Sequence, residues 1–157
     1  ARLYMKQQNF ELAYKTYMSL VESDVFSTNE AEALLGASKC LHKLGRLDES
    51  LALSARGLKI PGLSETQKLE FFKQRYAVLS TTGDRLDALR ALAFIYDKDT
   101  KAEMRSNAQA RAQEIVNRYL NESDLETVVG SSEFGFVRGP AAYRLALFLL
   151  QKKDFDG

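Results

Sequence analysis

The sequence predicts an all-α protein, a right-handed α-solenoid of antiparallel helix pairs. Three observations predict it. Apolar residues recur at helical spacing along most of the chain. A short turn pattern returns about every 34 to 39 residues. No convincing stretch alternates apolar and polar residues with the period of two that a half-buried strand requires, and only two prolines and nine glycines interrupt 157 residues.

The turn pattern sets polar or glycine residues before a large apolar residue and an acid. It occurs at Gln8-Asn9-Phe10-Glu11, Gly45-Arg46-Leu47-Asp48, Gly83-Asp84-Arg85-Leu86-Asp87 and Lys153-Asp154-Phe155-Asp156. Phe10 to Leu47 is 37 residues, Leu47 to Leu86 is 39, and Leu86 to Phe155 is 69, or two steps. A further break, Tyr119-Leu120-Asn121-Glu122, lies midway along that double step.

Between the turns the spacing predicts helices over 1–8, 11–23, 28–44, 47–59, 65–81, 86–98, 101–119, 123–130 and 140–152. Their apolar faces are read from Leu34, Ala37, Ser38 and Leu41; from Leu69, Phe72, Tyr76 and Leu79; from Met104, Ala108, Ala112, Ile115 and Tyr119; and from Ala142, Leu145, Ala146 and Leu149. Tyr76 and Ile115 are expected to be largely buried. Capping boxes are expected at Ser27-Thr28-Asn29-Glu30, Ser64-Glu65-Thr66-Gln67 and Ser123-Asp124-Leu125-Glu126, where the first and fourth residues satisfy each other's free backbone amides. Pro140 after Gly139 suits the start of a helix. Segment 130–139 is the longest expected non-helical stretch. The chain reads as one helical-repeat domain, 1–157, with repeats at about 1–23, 28–59, 65–98 and 101–130 and a partial one at 140–157. It opens and stops in mid-pattern, as a piece of a longer protein would.

Composition narrows function. Twenty-two basic and 21 acidic residues leave a net charge of +1, which gives no global attraction to nucleic acid or to an anionic membrane. The most apolar run, Ala141 to Leu150, contains Arg144 and is shorter than the roughly 18 residues a membrane span needs, so direct membrane insertion is not expected. One cysteine, Cys40, excludes an internal disulfide, and with one histidine, His42, it cannot build a usual zinc site. Residues two apart on a helix point about 200° away from each other, so Cys40 and His42 cannot form a nucleophilic pair. Gly130, Gly135 and Gly139 lack the strand–turn–helix setting of a phosphate loop. Glu122, Asp124 and Glu126 suit a first helical turn, where negative charge complements the dipole. No catalytic residue, cofactor or metal is therefore expected. The chain is read as a non-enzyme that binds another protein or a neighbouring domain.

Helix pairs with a small residue and an aromatic on the second helix resemble the tetratricopeptide repeat. Ala13 matches the family's small residue, Tyr17 its aromatic, and Tyr4 the aromatic of the preceding helix, while Leu20 stands where the family prefers a small residue. Leu89, Ala93 and Tyr96 hold the three sites in the third repeat. The second repeat departs, with Ser50, Ser54 and Gly57 there, which implies a closer helix approach. By that resemblance the first helix of each repeat lines a concave groove, here Arg2, Met5, Lys6, Leu35, Lys39, His42, Lys43 and Lys73. Arg2, Lys6, Lys39, Lys43 and Lys73 form a cationic strip suited to an acidic peptide or a chain-terminal carboxylate. Glu32, Gly36 and Lys39 stand at or near sites where the family's carboxylate clamp wants lysine and asparagine, so chaperone-tail binding is not expected.

The last third is similar to the N-terminal helical region of bacterial envelope lipoproteins that activate penicillin-binding proteins. The resemblance rests on Ser123-Asp124-Leu125-Glu126, Phe134-Gly135-Phe136-Val137-Arg138-Gly139 and the helix ending Lys153-Asp154-Phe155. It implies a periplasmic module, anchored to the outer membrane by a lipid outside this segment, that docks on and regulates a peptidoglycan synthase. The alternative is a regulatory or substrate-recruiting domain of an enzyme whose catalytic part lies elsewhere, with a cytoplasmic location also open.

Overall fold

Long helix-forming stretches punctuated by glycine turns give an all-helical chain. The computed structural model describes residues 2–23 and 30–156, and the side chains of 6–23 and 30–153. Among the described residues there is no strand, and no helix is long and apolar enough to cross a membrane. The chain divides into two compact units, Ala1–Thr82 and Gly83–Gly157.

The first unit holds α1 (Arg2–Glu22), α2 (Glu30–Lys43), α3 (Leu47–Leu58) and α4 (Glu65–Thr82). The break expected at Gln8–Glu11 is absent, because α1 runs through it. Neither glycine nor proline occurs in Arg2–Glu22, and the polar residues there cost a helix only tenths of a kcal/mol each. The turn at Gly45 is real. Gly45 takes φ +76°, which only glycine adopts without penalty, and the Arg46 amide closes α2 on the Leu41 carbonyl at 2.9 Å. The box at Ser64 is also formed. The Ser64 amide donates to Gln67 Oε1 at 3.0 Å, and the Gln67 amide donates to Ser64 Oγ at 3.1 Å. The box expected from Ser27 lies outside the described residues up to Glu30.

In this unit α2 packs against α1, α3 and α4. Leu34, Ala37, Ser38 and Leu41 are all fully buried, as the stripe predicts. On α4 the register differs: Phe71, Gln74, Val78 and Leu79 are buried, whereas Leu69, Phe72 and Tyr76 are only half-buried. Tyr76 is therefore not the core residue expected. Two overlapping apolar stripes exist on α4, and the small side chains of α3 choose between them. Gly57 is buried on α3, and a Cβ there would overlap the Phe71 ring. Ser50 and Ser54, also on α3, are buried as well. Ser38 Oγ donates to the Ser50 carbonyl at 2.9 Å, and Ser50 Oγ donates to the Ser38 carbonyl at 2.7 Å. Arg75 on α4 donates to the Leu51 carbonyl and to Ser54 Oγ, both at 3.1 Å. The close approach expected at Ser50, Ser54 and Gly57 is thus present, with its hydroxyls satisfied.

The second unit holds α5 (Arg85–Lys98), α6 (Ala102–Arg118), α7 (Glu122–Gly130), a 3-10 turn at Ser132–Val137, and α8 (Arg138–Asp156). Gly83, at φ +88°, precedes Asp84, whose carboxylate accepts the Asp87 amide at 3.1 Å and starts α5. The cap of α7 is Asn121, two residues before the expected Ser123. Asn121 Oδ1 accepts the Asp124 amide at 2.8 Å, and Asp124 reciprocates. Segment 130–139 is more ordered than a loop, since its 3-10 turn buries Phe134 and Val137 completely.

Two expectations about α8 are corrected. It continues through Lys153–Asp156, so no turn occurs there. Its inward face is Ala141, with Leu145 and Phe148 half-buried, while Ala142, Ala146 and Leu149 are exposed. Nearly every side of α8 is apolar, so spacing alone could not select the covered one. The neighbours α6, α7 and the 3-10 turn select it. Arg144 is half-buried beside this face and donates from Nη1 to the Val116 carbonyl of α6. On α6, Ala108, Ala112 and Ile115 are buried as expected, whereas Tyr119 is 49% exposed.

Candidate functional site

The candidate strip is built on α2. Packing on three neighbours buries Ala31, Ala33, Leu34, Ala37, Ser38, Cys40 and Leu41, and the 3.6-residue period turns the remaining positions outward together. Glu32, Lys39 and Lys43 are exposed, and Leu35, Gly36 and His42 are half-buried between them. The Tyr17 ring from α1 covers Gly36, where an added Cβ would meet it at 2.5 Å. The face so formed carries Glu32 at its N-terminal end, Leu35 and Gly36 in the middle and two lysines toward its C-terminal end.

The other predicted strip residues differ from these two. Lys6 is exposed on α1. Lys73 on α4 is half-buried and ion-paired with Glu70 at 3.8 Å, so its charge is compensated locally. Arg2 and Met5 belong to α1, but their side chains lie outside the described residues. No acidic side chain among the described residues pairs with Lys39 or Lys43. The structure therefore brings Lys39, His42 and Lys43 onto one helix face.

Burial holds the His42 imidazole below its usual titration range, and the adjacent Lys43 charge pushes it the same way. Such a group is kept neutral by the fold. Below the usual value of 6.5 the unfolded chain binds a proton that the folded chain refuses, so stability falls as pH drops from that value through the depressed one. Below the depressed value the loss stops growing. Urea midpoints measured from pH 7.5 to 5 should decline, and His42→Gln should flatten the part of that decline that His42 causes. An unchanged profile in the variant would show His42 to be solvated.

Two further cations, Arg46 and Arg90, are neutralised by neighbours. Arg46 makes a two-pronged pair with Glu49, at 2.8 Å and 2.6 Å, approaches Glu11 at 3.5 Å and lies over the Tyr14 ring. The hydrogen bond from Arg46 holds the Glu49 carboxyl below the usual range. Arg90 pairs with Asp87 at 2.7 Å and with Glu133 at 3.6 Å. The i,i+3 spacings of Arg46–Glu49 and Asp87–Arg90 were visible in sequence. The long-range partners Glu11 and Glu133 were not.

Sequence also did not indicate an open cavity of about 690 Å³ lined in part by Glu30, Arg56, Lys59, Ile60, Leu63 and Gln67. Arg56 and Glu30 face each other there at 3.7 Å, which neutralises both. Elsewhere, burial pushes the Cys40 thiol up, away from thiolate reactivity. Among the described residues, no group of three or more histidine, cysteine or carboxylate side chains is placed to hold a metal ion. What the α2 face can do chemically is attract and hold an anion-bearing surface.

No family model matches this chain, and no curated protein and no solved structure matches it.

Proposed function

We propose that this chain is a non-catalytic protein-interaction module that receives an acidic segment of another protein along the α2 face. The observation that carries this reading is the pair Lys39 and Lys43, exposed and without an acidic partner among the described residues, on a chain whose net charge is +1. The half-buried Leu35 beside them supplies apolar contact, so the face suits a segment mixing acidic and apolar residues. The arrangement that presents it is read as right-handed stacking of antiparallel helix pairs. Contacts between second neighbours, α2 with α4 and α6 with α8, support that reading, since stacked pairs must touch this way.

A local positive potential raises the encounter rate with an anion and is screened within roughly 8–10 Å at physiological salt. Lys39→Glu/Lys43→Glu should therefore slow association with a short synthetic Glu/Leu peptide, or with a protein recovered by pull-down, about tenfold or more at low salt. It should also flatten the salt dependence. Folding should persist, because both side chains lie off the buried face. Surface plasmon resonance at low and high salt reads both quantities. An unchanged on-rate and salt slope would assign docking to another face.

A further inference from the structure

The α2 face carries a third ionisable group besides its two lysines. His42 is half-buried beside them, and it is the chain's single histidine. At about 100° per residue, Lys39 lies one turn before His42 and Lys43 and projects between them. Spacings of three and four residues set such neighbours about 5–6 Å apart at Cβ. An anion bridging Lys39 and Lys43 therefore lies within reach of the imidazole. In the free chain that ring is held neutral, because burial and then the Lys43 ammonium both oppose its charging. Of the charged groups on the packed elements, Glu11 of α1 and Glu49 of α3 turn to Arg46, and Glu70 of α4 pairs with Lys73. Asp48 is exposed in the first turn of α3, and Arg75 of α4 donates to the Leu51 carbonyl and to Ser54. On α2 itself, Glu32 stands seven residues before Lys39, about 10 Å away along the helix axis.

We infer that docking of an acidic segment on this face draws a proton from solvent onto His42, so that the face holds its ligand more tightly as pH falls. This rests on α2 being the docking face and adds how that docking is regulated. Ligand carboxylates beside the ring favour its imidazolium, so His42 titrates higher in the complex than in the free chain. Above the value in the complex both states are neutral, and affinity is constant. Between the two values the complex binds a proton that the free chain refuses, and affinity rises as pH falls. Below the value in the free chain, which is under 6.5, the gain stops growing. Glutamates of the ligand titrate near about 4.3, clear of this window.

An N-acetylated Glu/Leu peptide is the probe. Its Kd should tighten about three- to tenfold from about pH 7.5 to about pH 5.5, since one pH unit between the two midpoints corresponds to tenfold. Isothermal titration calorimetry near about pH 6, in buffers of different ionisation enthalpy, should show uptake of a fraction of one proton. NMR titration of the imidazole ring protons, unambiguous for a single histidine, should give a higher midpoint with peptide than without. His42→Gln should bind like wild type at about pH 7.5 and lose both the gain and the uptake, with an unchanged circular-dichroism spectrum. An imidazole midpoint that bound peptide leaves unmoved, or a gain that persists in His42→Gln, overturns the proton linkage and leaves α2 as the docking face. A peptide that fails to bind wild type at either pH overturns docking on α2 itself, and the linkage with it.

Discussion

Phe71→Ala should destabilise the first unit by about 3–5 kcal/mol, as expected for emptying a large aromatic site that cannot collapse. Phe71 is 1% exposed and anchors a cluster of Ala31 and Leu34, with Val21, Leu35, Leu53, Leu58, Ile60 and Leu63 packed around it. Its ring rests on Gly57, and that contact yields a second result in the same place. Alanine is favoured over glycine inside a helix by about 1 kcal/mol. Gly57→Ala should nevertheless destabilise, because its Cβ would overlap a buried ring, and overpacking of that kind costs about 1–3 kcal/mol. Adding Phe71→Leu to Gly57→Ala should remove the overlap, so the two losses should sum to more than the double variant shows. Urea unfolding followed by circular dichroism measures all of these. A Gly57→Ala variant more stable than wild type would mean that the ring moves aside freely. That result would end the argument that Gly57 is required for close approach of α3 and α4.

Ile115→Ala should cost about 2–5 kcal/mol in the second unit. Ile115 is 6% exposed on α6, in line with Ala108 and Ala112, which are also buried. Alanines along that stripe bring α6 close to its neighbours. Total stabilities of small domains are about 5–15 kcal/mol, so a loss of this size should be plain in a thermal or urea midpoint. A loss under about 0.5 kcal/mol would place Ile115 in a compliant setting and break the register assigned to α6.

Helical class, the turns at Gly45 and Gly83, the cap at Ser64 and the buried stripe of α2 were legible in the sequence, because each is a local matter. Glycine alone relieves a positive φ, a serine and a glutamine three residues later each satisfy the other's backbone amide, and a single well-defined stripe admits one buried face. The exposed lysines of α2 follow from the same stripe, so Lys39 and Lys43 could be placed before any coordinates. Recurrence of a turn pattern was a weaker guide. Without glycine or proline, Gln8–Glu11 and Lys153–Asp156 present the polar and apolar residues of a turn but nothing that forbids the helix, and the helix runs on. Tertiary structure alone decided the rest. Helices α4 and α8 each carry more than one apolar stripe, and the neighbours' shapes chose the covered one. Gly57 and the Ser38–Ser50 pair drew Phe71 rather than Tyr76 into the core, and α6 and α7 took Ala141 and Phe148 while leaving Tyr143, Leu147 and Leu150 in water. Burial is a property of pairs of surfaces, and a periodicity read along one chain describes only one member of each pair.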